Sequence, residues 1–298
     1  MPFFKTTDGH NLHYRITGKG KPIIFVHGWT MNSLVWKYQS DELAKDFQVI
    51  AVDLRGHGKS EIPPFPPLSK GGGGGFDKFV NDLKELVDFL SIEKFTLVGW
   101  SMASFIIARY YFKYPKDIDK LIFISGTPKF LSENDYSYGQ PVIMAKRLEQ
   151  NLKPVPASLP SNGSIGGRKQ GRDYENYIKE FCGKLFISGE RTDDSKLSEI
   201  ESLMFNEDFP PSSDVVLQTL NSLLKDDIRD NLNDIKVPTL IIHGSIDKIC
   251  PVGAGRYMAK KIPDSKLIIL EGVGHAPFLT QPERVNKEIK EFIATDFH

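Results

Sequence analysis

Ser101 stands in Gly99-Trp100-Ser101-Met102-Ala103, after the apolar run Phe95–Val98 and before the helix-like stretch Ser104–Tyr114. A serine between a strand and a helix sits on a sharp turn that thrusts its Oγ out of the sheet. Such a turn forces strained backbone dihedrals on the serine, and only small residues two before and two after it avoid a clash. Gly99 and Ala103 supply that smallness. A serine hydroxyl is a poor nucleophile until a base takes its proton, and the base needs a third group to fix its tautomer. Leu240-Ile241-Ile242-His243-Gly244-Ser245-Ile246-Asp247 puts Asp247 on the loop after a buried strand. Leu267–Leu270 followed by Glu271-Gly272-Val273-Gly274-His275 puts His275 on the loop after the next strand. Both loops should open at the same sheet edge as Ser101, so that Ser101, His275 and Asp247 converge as a triad for acyl transfer. Taken singly, an Asx turn would account for Asp247 and a surface loop for His275. The tetrahedral intermediate carries an oxyanion that needs preorganised N–H donors. The Met102 N–H, immediately after the nucleophile at a helix N-terminus, is one such donor.

Positioning these groups requires a sheet. Ile23–Val26, Val49–Val52, Phe95–Val98, Leu121–Ile124, Leu240–Ile242 and Leu267–Leu270 are continuous apolar runs, the pattern of strands buried on both faces. Before them, Phe3–Thr6 and Asn11–Ile16 flank Asp8-Gly9 as a hairpin. Phe79, Val80, Leu83, Leu86, Val87 and Leu90 recur at helical spacing among charged residues. Strands alternating with amphipathic helices predict an α/β fold with a mostly parallel sheet covered on both faces. Two stretches break the rhythm: the Pro/Gly-rich 62–75, read as a mobile inserted loop, and the Pro/Gly/Ser-rich 154–171. The glycines of the first lack the spacing and the Lys-Ser/Thr pair of a phosphate-binding loop. The second lies within 129–227, a mostly helical region between two core strands. An insertion there would sit above the carboxyl ends of the strands, where open α/β sheets bind ligands.

The chain has 298 residues, enough for one large domain with an inserted subdomain. Its 38 Lys and Arg balance 38 Asp and Glu, which argues against a nucleic-acid partner or a polybasic membrane anchor. Cys182 and Cys250 match no metal or redox spacing and read as two reduced thiols. No signal-peptide pattern and no apolar run of membrane-spanning length occur, so the expected location is the cytoplasm. Of the other histidines, His10, His13 and His298 read as surface residues, His57 as a structural hydrogen-bonder and His243 as core.

With these motifs in place, the chain resembles the α/β-hydrolase superfamily over nearly its whole length, the two irregular loops and part of the insertion excepted. The serine turn is similar to that family's nucleophile elbow, and serine, acid and histidine follow in the family's order. The resemblance implies an α/β-hydrolase core in 1–128 and 228–298 and a helical cap in 129–227. Within the superfamily the chain looks most like the pimeloyl-[acyl-carrier protein] methyl ester carboxylesterases of biotin synthesis. The residues that carry this are His27-Gly28-Trp29 with Asn32, Val35 and Trp36; Gly99-Trp100-Ser101; and Gly274-His275-Ala276-Pro277-Phe278 with Pro282. Leu217, Leu220, Asp227, Arg229 and Leu232 before Pro238 add to them. One departure is Ala103-Ser104, where the family usually has two glycines.

By this resemblance the second oxyanion donor is the Trp29 N–H. The side chains of Trp29 and Phe181 could line the acyl pocket, and packing would explain each equally well. The implied substrate is a small acyl ester, in that family carried on acyl-carrier protein; no metal or organic cofactor is expected, and the protein is expected to be a monomer. Lys179, Lys184, Arg191 and Lys196 could meet an acidic carrier, but Glu180, Glu190, Asp193 and Asp194 beside them read more simply as a solvated face. A small-ester esterase, a lactonase or a carbon–carbon hydrolase is compatible with the same motifs. So is a catalytically silent binding protein on the same fold.

Overall fold

A computed structural model describes residues 2–61, 75–152, 190, 194–204 and 213–295 of the chain. Among the described residues eight strands form one sheet: β1 (Phe3–Lys5), β2 (Asn11–Thr17), β3 (Pro22–Val26), β4 (Gln48–Val52), β5 (Phe95–Trp100), β6 (Ile118–Ile124), β7 (Thr239–Gly244) and β8 (Ser265–Leu270). Their spatial order is β1-β2-β4-β3-β5-β6-β7-β8. The hairpin β1–β2 runs antiparallel and adds to β4; from β4 to β8 all pairs are parallel. Every residue of β5 and β7 is buried, so the middle of the sheet is covered on both faces and its continuous apolar runs have nowhere wet to point.

The helices are α1 (Lys37–Leu43), α2 (Asp77–Phe89), α3 (Ala103–Lys113), α4 (Val142–Leu152), α5 (Asp194–Met204), α6 (Ser213–Lys225), α7 (Val252–Lys261), α8 (Pro277–Thr280) and α9 (Pro282–Ala294). In α2 the residues at helical spacing, Phe79, Val80, Leu83, Leu86 and Val87, are the buried ones. α3 differs: eight of its eleven residues are buried, because it packs on both β5 and α2. α4, α5 and α6 all lie between β6 and β7, outside the strand–helix alternation of the core.

The register brings the strand ends level. Val26 pairs with Gly99, Trp100 with Ile124, Ile124 with Ile242, and Gly244 with Leu270. The turns after β3, β5, β7 and β8 therefore open along one edge of the sheet.

The hairpin departs from expectation at His13, which is buried rather than on the surface. β2 is not a free edge: β4 pairs along it, and Asp53, just past β4, takes the His13 Nδ1 at 2.7 Å. Asp53 also accepts from the Ser33 N–H at 2.6 Å and the Lys59 N–H at 3.0 Å. Burial pushes its carboxyl up, but the bonds from His13, Lys59 and Ser33 prevail and hold it below the usual carboxylate range. One buried charge thus ties together β2, the 3-10 turn Ser33–Trp36 and the loop after β4. Nearly all of 62–75 and the whole of 154–171 lie outside the described residues.

Candidate active site

Ser101 follows β5 directly and takes the left-handed φ of +56°. That conformation strains a residue with a side chain and recurs where the structure around it over-determines the backbone. The surroundings do so here: the Ser101 N–H is bound to the Ile124 carbonyl at 3.0 Å, and its own carbonyl accepts from the Ser104 N–H at 2.9 Å. A Cβ at residue 99 would lie 2.9 Å from the Ala103 carbonyl oxygen, so the turn closes only over glycine.

His275 reaches this turn from the loop after β8. Its Nε2 lies 2.9 Å from Ser101 Oγ, and its Nδ1 lies 2.8 Å from Asp247 Oδ2. A carboxylate can only accept, so Nδ1 carries the proton and Nε2 is left to accept from the serine hydroxyl. The histidine is fully buried, and the indole of Trp100 donates to its carbonyl at 2.8 Å. The Asp247 side chain is fully buried as well. Its Oδ1 accepts from the N–H groups of Ile249 and Cys250, both at 2.9 Å, which frees Oδ2 to face the imidazole. Burial pushes this carboxyl up; His275 and His243 outweigh it and hold it well below the usual carboxylate range. The structure thus brings together the three side chains singled out by sequence.

Met102 adjoins the first residue of α3, whose leading N–H groups have no acceptor inside the helix. Trp29 stands on the loop after β3. Beside Ser101 lies a cavity walled by Gly28, Trp29, Trp100, Phe130, Leu148, Leu223 and Ile249. The wall carries no charged side chain, so it suits an uncharged apolar group. Leu148 belongs to α4 and Leu223 to α6, so the insertion closes the cavity that the core opens. The Trp29 side chain has two kinds of contact. It lines the cavity, and its Nε1–H is bound to the Val216 carbonyl and Thr219 Oγ1 of α6, each at 3.1 Å. Phe181 lies outside the described residues, as do Lys179, Lys184 and Arg191. Lys196 is committed inward, donating to the Thr280 carbonyl at 3.1 Å.

Three residues at the site escaped sequence reasoning. His243 Nε2 donates to the Cys250 carbonyl at 2.6 Å and stands 3.4 Å from Asp247 Oδ2, so a residue read as core packing backs the acid. Cys250 is buried beside the Ser101 hydroxyl; burial and then the Asp247 charge push its thiol well above the usual thiol range, so it stays neutral. Glu190, read as part of a solvated face, instead takes the Gly274 N–H at 2.8 Å, one residue before His275. No motif announces any of these contacts; each depends on how distant loops meet. Among the described residues no group of three or more His, Cys, Asp or Glu is arranged to hold a metal ion.

The family model of the alpha/beta hydrolase fold matches residues 21–282. A protein of Bacillus subtilis named AB hydrolase superfamily protein YisY is 30% identical over 294 residues, 97% of this chain and 98% of that protein. The pimeloyl-[acyl-carrier protein] methyl ester esterase of Nitrosomonas europaea is 26% identical over 92% of this chain and 96% of its own length. Among solved structures, an esterase from Exiguobacterium antarcticum superposes with a TM-score of 0.82 at 26% identity, covering 98% of this chain and 99% of its own.

Proposed function

The chain belongs to the α/β-hydrolase family, and from that premise we propose that it is a serine carboxylesterase that hydrolyses pimeloyl-[acyl-carrier protein] methyl ester in biotin synthesis. The observation that carries the esterase reading is the unbroken hydrogen-bond chain Ser101–His275–Asp247 at 2.9 and 2.8 Å. Ser101 Oγ attacks the ester carbonyl as its proton passes to His275 Nε2. Asp247 holds the resulting imidazolium, and the N–H groups of Trp29 and Met102 receive the oxyanion. His275 then protonates the departing methanol, leaving the acyl group on Ser101. Water, deprotonated by the same imidazole, attacks the acyl-enzyme and releases the acid and the free serine.

Residues 129–227 act as the cap in this reading, with 1–128 and 228–298 as the core. The biotin assignment leans on relatives bearing that name, such as the enzyme of Nitrosomonas europaea. The cytoplasm is the location that this role requires, and no described helix is long and apolar enough to cross a membrane.

Two experiments test the reading in sequence. A fluorophosphonate probe is expected to label the protein at Ser101 and to leave Ser101→Ala unlabelled; an unlabelled wild type would make it a binding protein. Complementation of a biotin auxotroph lacking the methyl esterase is expected to restore growth in a Ser101-dependent way. Absence of rescue by well-expressed protein would sink the biotin role and leave a small-ester esterase, lactonase or carbon–carbon hydrolase.

A further inference from the structure

We propose that Glu190 is a positioning residue for His275, its carboxylate acting as the acceptor that fixes the peptide before the histidine; this rests on the serine-hydrolase reading. The turn from Glu271 to Ala276 has to hold an imidazole in line with a serine on a different strand, and its main-chain groups are anchored one by one. The Gly272 N–H is taken by Ser245 Oγ at 2.9 Å, the Val273 carbonyl by the Ile246 N–H at 3.1 Å, and the His275 carbonyl by the Trp100 indole at 2.8 Å. These three anchors come from the core. The Gly274 N–H is buried, and its partner is Glu190 Oε1 at 2.8 Å, brought by the insertion between β6 and β7. An unpaired buried N–H is costly, so without that acceptor the peptide would rotate or admit water, and the ring attached to the next residue would turn with it.

A second tie reinforces the first. Lys196 of α5 donates to the carbonyl of Thr280, at the end of α8, at 3.1 Å. Residues 274 to 280 are thus clasped at both ends by the insertion that supplies Leu148 and Leu223 to the cavity wall. Seating of the insertion over the cavity and alignment of the histidine become one event.

What the position requires is an acceptor rather than a charge. Burial and the nearby Asp247 carboxylate push the Glu190 carboxyl up, against the pull of the Thr280 hydroxyl, the bond from the Gly274 N–H and the charge of Lys196. A neutral isostere should therefore hold the turn.

The test compares Glu190→Ala, Glu190→Asp and Glu190→Gln by the rate of fluorophosphonate labelling and by steady-state hydrolysis of a p-nitrophenyl ester. Glu190→Ala is expected to lower both kcat and the labelling rate by at least tenfold while KM moves less than threefold. Glu190→Gln, whose amide oxygen can still accept from Gly274, is expected to return both to within threefold of wild type. Should the alanine variant fail to fold, the aspartate variant, one methylene too short, makes the same comparison. Wild-type rates in Glu190→Ala and Glu190→Asp, or a Glu190→Gln as slow as they are, would overturn the proposal. A wild type that resists the probe would instead remove the hydrolase reading, and the positioning role with it.

Discussion

At the scale of single residues, the site depends on one tautomer and one close approach. Asp247 can only accept at His275 Nδ1, which leaves Nε2 able to take the serine proton. Asp247→Asn presents an amide N–H as readily as its oxygen and lets the imidazole settle in the other tautomer. We expect kcat to fall by about 10⁴ with KM little changed, checked by steady-state kinetics on a p-nitrophenyl ester. The close approach is at Gly244, where a Cβ would lie 2.1 Å from the Gly274 carbonyl oxygen and 2.2 Å from that of Val273. Backbone cannot yield as a side-chain tip would, so Gly244→Ala has to push the His275 turn away from Ser101. A fall in kcat of at least tenfold is expected, with near-wild-type circular dichroism. Unchanged kcat would mean that the turn has slack the structure does not display.

At the scale of elements, α3 and the return from the insertion are bound to each other. Arg109 of α3 grips the Asp226 carboxylate through Nε at 2.7 Å and through Nη2, and stands 3.6 Å from Asp77 at the start of α2. Asp226 is almost wholly buried, so Arg109→Met would strand a charge away from water. A loss of about 2–3 kcal/mol is expected, read from the urea midpoint. The joint loss in Asp226→Asn/Arg109→Met should be smaller than the sum of the single losses, because the stranded charge is gone. Such long-range ties are what the sequence withholds. The strands and α2 were legible because burial on both faces, or on one stripe, writes itself as a period in the chain. The serine turn was legible because its backbone geometry dictates small neighbours at fixed offsets. His13 was not, since a histidine in a hairpin carries no mark of the aspartate that captures it from 40 residues away. Glu190 and Lys196 misled for the same reason, as two charged residues in a charged stretch whose partners lie more than 80 residues downstream.

For the whole molecule, the consequence of this architecture is sensitivity to acid that begins before the carboxylates titrate. His27 and His57 lie fully buried with their rings 5.2 Å apart. His27 Nδ1 donates to the Gly28 carbonyl at 2.8 Å while Nε2 accepts from the Leu54 N–H at 3.1 Å, so the ring is neutral and a second proton would break the Leu54 bond. His57 Nδ1 donates to the Arg55 carbonyl at 3.1 Å, and its Nε2 has no partner among the described residues. Burial, and then the neighbouring His27, push His57 down to about 3, and burial lowers His27 too. The unfolded chain binds those protons near the ordinary value of about 6.5, so between that pH and about 3 it holds more protons than the native state. The stability tied to neutral rings is complete above about pH 6.5 and drains as pH falls, at up to about 1.4 kcal/mol per pH unit for each histidine. Asp53 and Asp247, both held low, add their losses only once pH drops below the ordinary carboxylate value. Urea titrations from pH 7.5 to 4.5 should therefore show stability declining from the upper half of that range. In His57→Gln, whose amide can replace the bond to the Arg55 carbonyl, the slope should be shallower by up to one proton, whatever the variant's absolute stability. A slope identical to wild type would show that the buried ring keeps its ordinary affinity for protons, and that the packing around His27 and His57 tolerates a charge.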